Sequence, residues 1–430
     1  MLTAVALVGS ALTACGSGEG SQAAGDAPSA AARTSAATSR PVHDPPTKFA
    51  TTGAQMPDGL LDDILDLDNR LVGPPPVTLY GSTAYVGAFD HVQAIDTTNG
   101  HVTATIEPAG KALVEGEGTE HKAGAPAIVT ISGTPALLTP FPVDQSGTGT
   151  QATHKAVEIT VSDPDAAKVR WQVTLRLPEW ADEPGTELTA TAVGANGNTG
   201  VVTVSNDDSH AVTYGIDLTT HRQIWVQDGF AATGIAEGIA VGWNTENYEV
   251  HAAGHDAATG APRWQGQSMV SQTVSALGPH FVLLQGGHWG SEKPYVQLLD
   301  PATGKTKQQL PIQLSKGTCV YDEKSTLVCH GTGADTDDAA AFGLDATTGR
   351  TLWQLPDKQA DRIAPEITTA WHGRAYGKTE NGPVALDART GQDLPTSPRI
   401  APVLVNGSAG LALAKVDGWK TKLFVYPATG

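Results

Sequence analysis

"AFGLDATTGRTLWQL", residues 341–355, reads as an apolar strand, an Asp, a Thr-Gly pair and a second strand carrying Trp. Asp accepts backbone N–H groups across a tight reversal, and Gly supplies the positive φ that closes it. The unit recurs as AIDTTNG at Asp96, VSDPDAAK at Asp163, GIDLTTH at Asp217 and GHDAATG at Asp256. It continues as LLDPATG at Asp300, GLDATTG at Asp345 and ALDARTG at Asp387, and the sequence ends on VYPATG, with Tyr426 in the Asp place. Eight residues after Asp163, Asp217, Asp256 and Asp345 stand Trp171, Trp225, Trp264 and Trp353. Four such coincidences from nine Trp have a chance on the order of one in 100,000, so the repeat is not accidental.

Successive spacings are 67, 54, 39, 44, 45, 42 and 39 residues, and the last five fit one four-stranded propeller blade each. The expected fold is all-β, an eight-bladed β-propeller with seven blades as the alternative. The final copy stops at the reversal, one strand short. An N-terminal strand such as 48–52 would supply the missing strand and close the ring. Ala167 and His221 occupy the Gly position in two copies, where reshaped turns are expected. Trp projecting from the outer strand is expected to pack on the neighbouring blade. Recurrence of Asp and Trp once per blade marks them as scaffold, since a binding site needs one copy. Between the closing strand and the first blade, Leu60, Leu61, Ile64, Leu65 and Leu71 fall at helical spacing behind Asp58 as N-cap, which predicts a short helix packed on the propeller, with a docking helix for a partner as the alternative.

The pattern resembles the PQQ-like repeat, an apolar strand, Asp-x-x-Thr-Gly, then Trp in the outer strand, over about residues 75–430. The resemblance implies a seven- or eight-bladed propeller and says little of activity, because one superfold hosts many functions. The quinoprotein dehydrogenases resembled here carry adjacent cysteines stacked on PQQ and a calcium-linked acidic site. This sequence has no Cys-Cys pair, so neither that cofactor nor that activity is expected.

The N-terminus adds a second resemblance. LTAVALVGSALTAC, residues 2–15, is apolar and ends in small residues before Cys15, like the lipobox of bacterial lipoprotein signal peptides. The resemblance implies a signal peptide over 1–15, removed before Cys15, and diacylglycerol on that Cys. It departs from the pattern in having no Lys or Arg before the apolar run, as a start assigned too far downstream would produce. Residues 16–46 are rich in Gly, Ser, Ala, Thr and Pro and read as a flexible tether, with the propeller over 47–430. Lipobox, tether and repeat together are similar in plan to the BamB-like propeller lipoproteins of bacteria; such propellers also resemble sensor modules of membrane kinases.

The net charge of −18 argues against binding nucleic acid or an anionic membrane face, because counterion release needs clustered Lys and Arg. Cys319 and Cys329 lie symmetrically about Lys324 in GTCVYDEKSTLVCHG, opposite each other across a predicted hairpin, and read as a disulfide in an exported protein. His251 and His255 share a strand face but lie about 13 Å apart there, too far for one metal ion. GADTDDAAA, residues 333–341, lacks the Gly and distal Glu of an EF-hand and reads as a solvated acidic loop. No metal or catalytic motif is expected.

In a four-stranded blade the loops between second and third strands share a face with the blade-to-blade connections, opposite the Asp turns. Those loops include 242–249, 286–294, 331–339 and 415–421, which hold the candidate partner-binding residues Trp243, Tyr248, His288, Trp289 and Trp419. The resulting expectation is a monomeric, non-enzymatic propeller held on the outer face of the cytoplasmic membrane or in the envelope through Cys15, binding an unidentified envelope protein. The alternatives are a small-ligand- or glycan-binding propeller, a sensor module, or a PQQ-dependent dehydrogenase.

Overall fold

The computed structural model describes residues 41–430 except 62–63, 67–70, 72, 114–121, 207–209, 247–248, 288–294, 334–335, 337 and 418–419. Cys15 and the tether up to residue 40 therefore lie outside the described residues. From residue 77 onward the chain is a succession of β-sheets, antiparallel except where Lys122–Ala123 pairs in parallel with Thr189–Asn196, and they form the eight blades expected, not the alternative seven. Blade one is typical: Val77–Tyr80, Thr83–Gly87, Val92–Asp96 and Val102–Ile106 pair in sequence order. The wide first spacings come from blades two and three. Blade two is built on the long strands Thr134–Gln145 and His154–Asp163, and a 3₁₀ turn, Glu179–Asp182, lies in the connection to blade three.

Three blades depart from the plan for readable reasons. Blades four and five share Pro262–Ala276, whose first half pairs with Glu249–Asp256 and whose second half pairs with Val282–Gly287. No Gly or Pro interrupts residues 267–276, so the strand passes from one blade to the next without a loop. Blade seven has three strands, Glu366–Trp371, Arg374–Thr379 and Gly382–Asp387. Where a fourth belongs, the segment carries Pro395 and Pro398, which lack the ladder N–H, and among the described residues one bridge forms, Leu386 to Asp393.

Blade eight is closed from the other end of the sequence. Phe49 bridges to Ala428, and Ala54–Gln55 pairs with Val425 and Phe424 of Lys420–Pro427. The closing segment is thus the expected one, although its paired strand begins two residues beyond 48–52. The expected helix behind Asp58 is not formed among the described residues. Residues 58–61 are turns, and Leu65 bridges to Leu71. Asp58 does not cap a helix: its carboxylate accepts from Gln55 Nε2 at 3.0 Å and from Lys422. The leucines still pack, with Leu61 buried and Leu60, Ile64, Leu65 and Leu71 around the core of blades one and eight.

The repeat residues join neighbouring blades. Asp256 Oδ1 accepts from Ala258 N, Thr259 N and Thr259 Oγ1 at 3.0–3.1 Å, and Asp300, Asp345 and Asp387 hold their own turns alike. Trp225 Nε1 donates to Ala257 O at 3.2 Å, Trp264 to Pro301 O at 2.7 Å and Trp353 to Ala388 O at 2.7 Å. Each acceptor follows the repeat Asp of the next blade. The ring is also pinched between two glycines. A Cβ on Gly343 of its own blade would stand 2.2 Å from Trp353, and one on Gly391 of the next blade's turn would stand 2.5 Å away. The turn Gly is therefore needed for close approach as well as for its φ of 68°.

His221 departs from the expected reshaping. It keeps the left-handed backbone at φ 59° and donates its N–H to Asp217 O at 2.8 Å, the bond Gly260 makes to Asp256 O at 2.7 Å. The strain of a side chain there, about 1 kcal/mol, is offset by stacking of the imidazole on Trp171 of the preceding blade, ring centroids 4.2 Å apart. Ala167 is likewise left-handed, at φ 50°.

Candidate functional site

The turns between first and second strands and between third and fourth strands occupy one face, here called the turn face. The other, the loop face, carries the loops between second and third strands and the connections between blades. Of the residues expected to act there, Tyr248, His288, Trp289 and Trp419 lie outside the described residues. Trp243 is described and is not in a loop. It sits inside the strand Ile239–Glu246, paired with Ala231 and Ala252, and is half-buried. The strand runs further than the sequence suggested because Asn244–Glu246 continue the ladder opposite Glu249–His251.

Two described features build the loop face. The first lies between blades two and three, where Trp180 of the 3₁₀ turn donates Nε1–H to Asp228 Oδ1 at 3.3 Å and stacks with His210, ring centroids 5.6 Å apart. Asp182 of the same turn accepts Lys155 N at 2.6 Å, and burial pulls the Lys155 ammonium below its usual range against the opposing pull of Asp182 and Asp144. The second is a cavity of about 350 Å³ between blades six and seven. Its lining combines Ala339, Ala340 and Ala364 with His330, Thr332 and the ion pair of Glu366 with Lys378, 3.0 Å apart. Small apolar and hydrogen-bonding groups side by side suit recognition of a side chain or small ligand. Sequence reading missed both. The extra length between Asp163 and Asp217 was the signal for Trp180, whereas the cavity joins segments that carry no shared motif.

The other candidates are scaffold. Cys319 and Cys329 stand opposite each other on Ile312–Tyr321 and Thr326–Gly333 and are joined by a disulfide. His251 donates Nδ1–H to Gly266 O at 3.1 Å. His255 is buried, stacks on Phe230 with ring centroids 4.0 Å apart and donates Nδ1–H to Gly260 O, and burial lowers its pKa. The 333–341 segment is shorter as a loop than expected: Gly333 ends one strand and Ala339 begins the next, and Gly333 N donates to Asp338 O at 2.9 Å.

The residues present do not fit PQQ held as in the dehydrogenases. The cysteine pair is consumed by its own bond across a hairpin, and no group of three or more His, Cys, Asp or Glu able to hold calcium occurs among the described residues.

No family model and no curated protein matches the chain. Solved structures similar to it include a europium-containing methanol dehydrogenase, 12% identical over 82% of this chain and 90% of that one, TM-score 0.42. The dihydro-heme d1 dehydrogenase NirN is 16% identical over 87% and 78%, TM-score 0.41. The β-propeller domain of the Trilobed protease from Pyrococcus furiosus is 12% identical over 70% and 92%, TM-score 0.39. With TM-scores below 0.5, these likenesses add no weight to any reading of the site; the β-propeller stands on the chain's own eight blades, with a disulfide across the sixth.

Proposed function

We propose that this protein is a non-enzymatic binding and scaffolding propeller of the BamB-like kind, lipid-anchored through Cys15 in the bacterial envelope, that captures a protein partner on its loop face. The observation that carries the reading is the division between the two faces. On the turn face, the repeat Asp carboxylates are taken up by their own turns, and the Trp indoles dock on the turns of the next blade. The loop face instead carries Trp180 with His210 and Asp228, the cavity between blades six and seven, and the longest loops. Aromatic groups on a rigid scaffold, with a polar rim around them, are the usual substance of protein recognition. The acidic surface favours a partner with basic patches, approached at salt-dependent rates.

Capture from detergent-solubilised native membranes tests the reading. Trp180→Ser combined with Trp289→Ser and Trp419→Ser should leave the protein folded, at a lowered melting temperature because Trp180 packs on the core and bonds Asp228, and deplete partners that wild type retains. Identical capture by wild type and the triple variant, with loss on substitution of exposed turn-face residues such as Lys305, would place recognition on the other side of the disc. Turnover of an alcohol with an artificial dye, on addition of PQQ and calcium, would refute the non-enzymatic assignment.

A further inference from the structure

A second cavity, about 330 Å³, opens on the turn face at the junction of blades six and seven. Its lining is unlike the rest of this acidic molecule. Lys324 comes from the first turn of blade six, His372 and Arg374 from the first turn of blade seven, and Arg389 from the repeat turn of blade seven, with Asp387 as the one carboxylate among the lining residues. Three permanent cations thus converge in a chain whose net charge is −18.

The neighbouring acidic groups do not neutralise them. Asp387 Oδ1 is committed to Arg389 N at 3.1 Å, Thr390 N at 2.8 Å and Thr390 Oγ1 at 2.9 Å. Asp44 accepts from Trp371 Nε1 at 2.7 Å and His372 Nδ1 at 2.6 Å. Asp345 approaches Arg389 Nη1 no closer than 3.7 Å, an exposed and weak pairing. Asp322 Oδ1 accepts the N–H groups of Lys324, Ser325 and Thr326, and Glu323, which is exposed, makes no ion pair with Lys324 among the described residues. The Lys324 ammonium has no carboxylate within ion-pair distance among the described residues, and its stem lies over Gly373, whose added Cβ would stand 3.9 Å from Lys324 Cδ.

Arg374 supplies the independent sign of a ligand. Its Nη1 is fixed by the carbonyls of Pro45 and Pro46, so the guanidinium is pre-oriented. Its Nε–H is buried with no hydrogen-bond partner among the described residues. Buried donors of this kind are rare in folded proteins, and the guanidinium that carries this one forms part of the cavity wall. Planar guanidinium forks with a flanking ammonium match the oxygens of a phosphate group. We propose that this cavity binds a small phosphate-type oxyanion, free or as the head of a small monoester, through Lys324, Arg374 and Arg389.

The long-range field repels anions, so uptake of one reports the local site. Calorimetric titration of the full-length protein in detergent at low ionic strength, with inorganic phosphate and separately with glycerol 3-phosphate, should give saturable millimolar binding. Tighter binding of the ester assigns the monoester and equal binding the free ion. Lys324→Gln with Arg389→Gln, both exposed positions, should weaken binding roughly tenfold or more at an unchanged melting temperature. Lys358→Gln, on an exposed loop outside the cavity, should leave it unchanged. No saturation by either compound up to roughly 20 mM, or equal affinity in wild type and the double variant, overturns the proposal. Loss of loop-face capture leaves this cavity untouched, so the two readings fail separately.

Discussion

Replacing Trp353 by Ala tests the inter-blade joint most directly. The indole lies between Gly343 and Gly391 and donates to Ala388 O at 2.7 Å, so truncation removes an inter-blade hydrogen bond and opens a slot that two glycines cannot fill. Truncation of a well-packed Trp costs about 3–5 kcal/mol, and the lower end applies because this ring keeps partial solvent contact. An unfolding entropy of about 2.1 cal/mol/K per residue, over Pro41–Gly430, gives about 0.8 kcal/mol/K. The expected fall in melting temperature is therefore about 4 °C. Trp353→Phe keeps most of the ring and loses the donor, worth about 1 kcal/mol and about 1 °C. Gly391→Ala should act through the same joint from the opposite blade, since its Cβ meets the ring at 2.5 Å and its φ is +68°. Scanning calorimetry reads all three. A wild-type melting temperature for both Trp353→Ala and Gly391→Ala would refute the docking argument.

Further outcomes are expected. Hydrogen bonds hold the carboxyls of Asp163, Asp217, Asp256, Asp300 and Asp345 below the usual range, led by side-chain donors in all but Asp345, where Thr348 N leads. Groups with depressed folded pKa stabilise above their unfolded value and lose that contribution as acid protonates them, so the melting temperature should fall as pH drops below about 4. Asp300→Asn should blunt that slope in a pH series of melts. The double substitution Cys319→Ala, Cys329→Ala opens a short loop and should cost about 3 kcal/mol, read by urea titration. Cys15→Ala, expressed in a lipoprotein-competent bacterium, should move the protein from the membrane to the soluble fraction; firm membrane retention would place the anchor elsewhere.

The fold was legible because its signals are local. Asp, Thr-Gly and Trp within a dozen residues specify a reversal and a docking ring, and those residues hold the blades as read. Even the lost strand of blade seven is written in Pro395 and Pro398. The misreadings arose where local pattern met a distant partner. Leu60 to Leu71 carry a helical period, yet their packing is satisfied by turns, with Asp58 drawn to Lys422 on the last strand. His221 looked like a defect in its turn until Trp171 of the preceding blade came to lie on it. The candidate site was less legible for the same reason. Trp180, His210 and Asp228 meet across a blade boundary, and each cavity joins segments tens of residues apart whose residue types are ordinary in isolation.

Closure of blade eight by the segment around Phe49 has a kinetic consequence. Thr47 and Lys48 donate to Gly430 O, so the pairing that completes the ring joins residues nearly a whole chain length apart. Bringing such ends together costs about 5 kcal/mol in chain entropy, and nothing gained in the first seven blades lowers that cost until they stand in order. Sequence-distant pairing slows folding, and synthesis runs from the N-terminus. The closing segment therefore leaves the ribosome ahead of every blade and finds its partner strand last. Until then the partner's edge is an open template for a neighbouring copy, so crowded synthesis should favour chains clasped to one another in place of chains clasped to themselves.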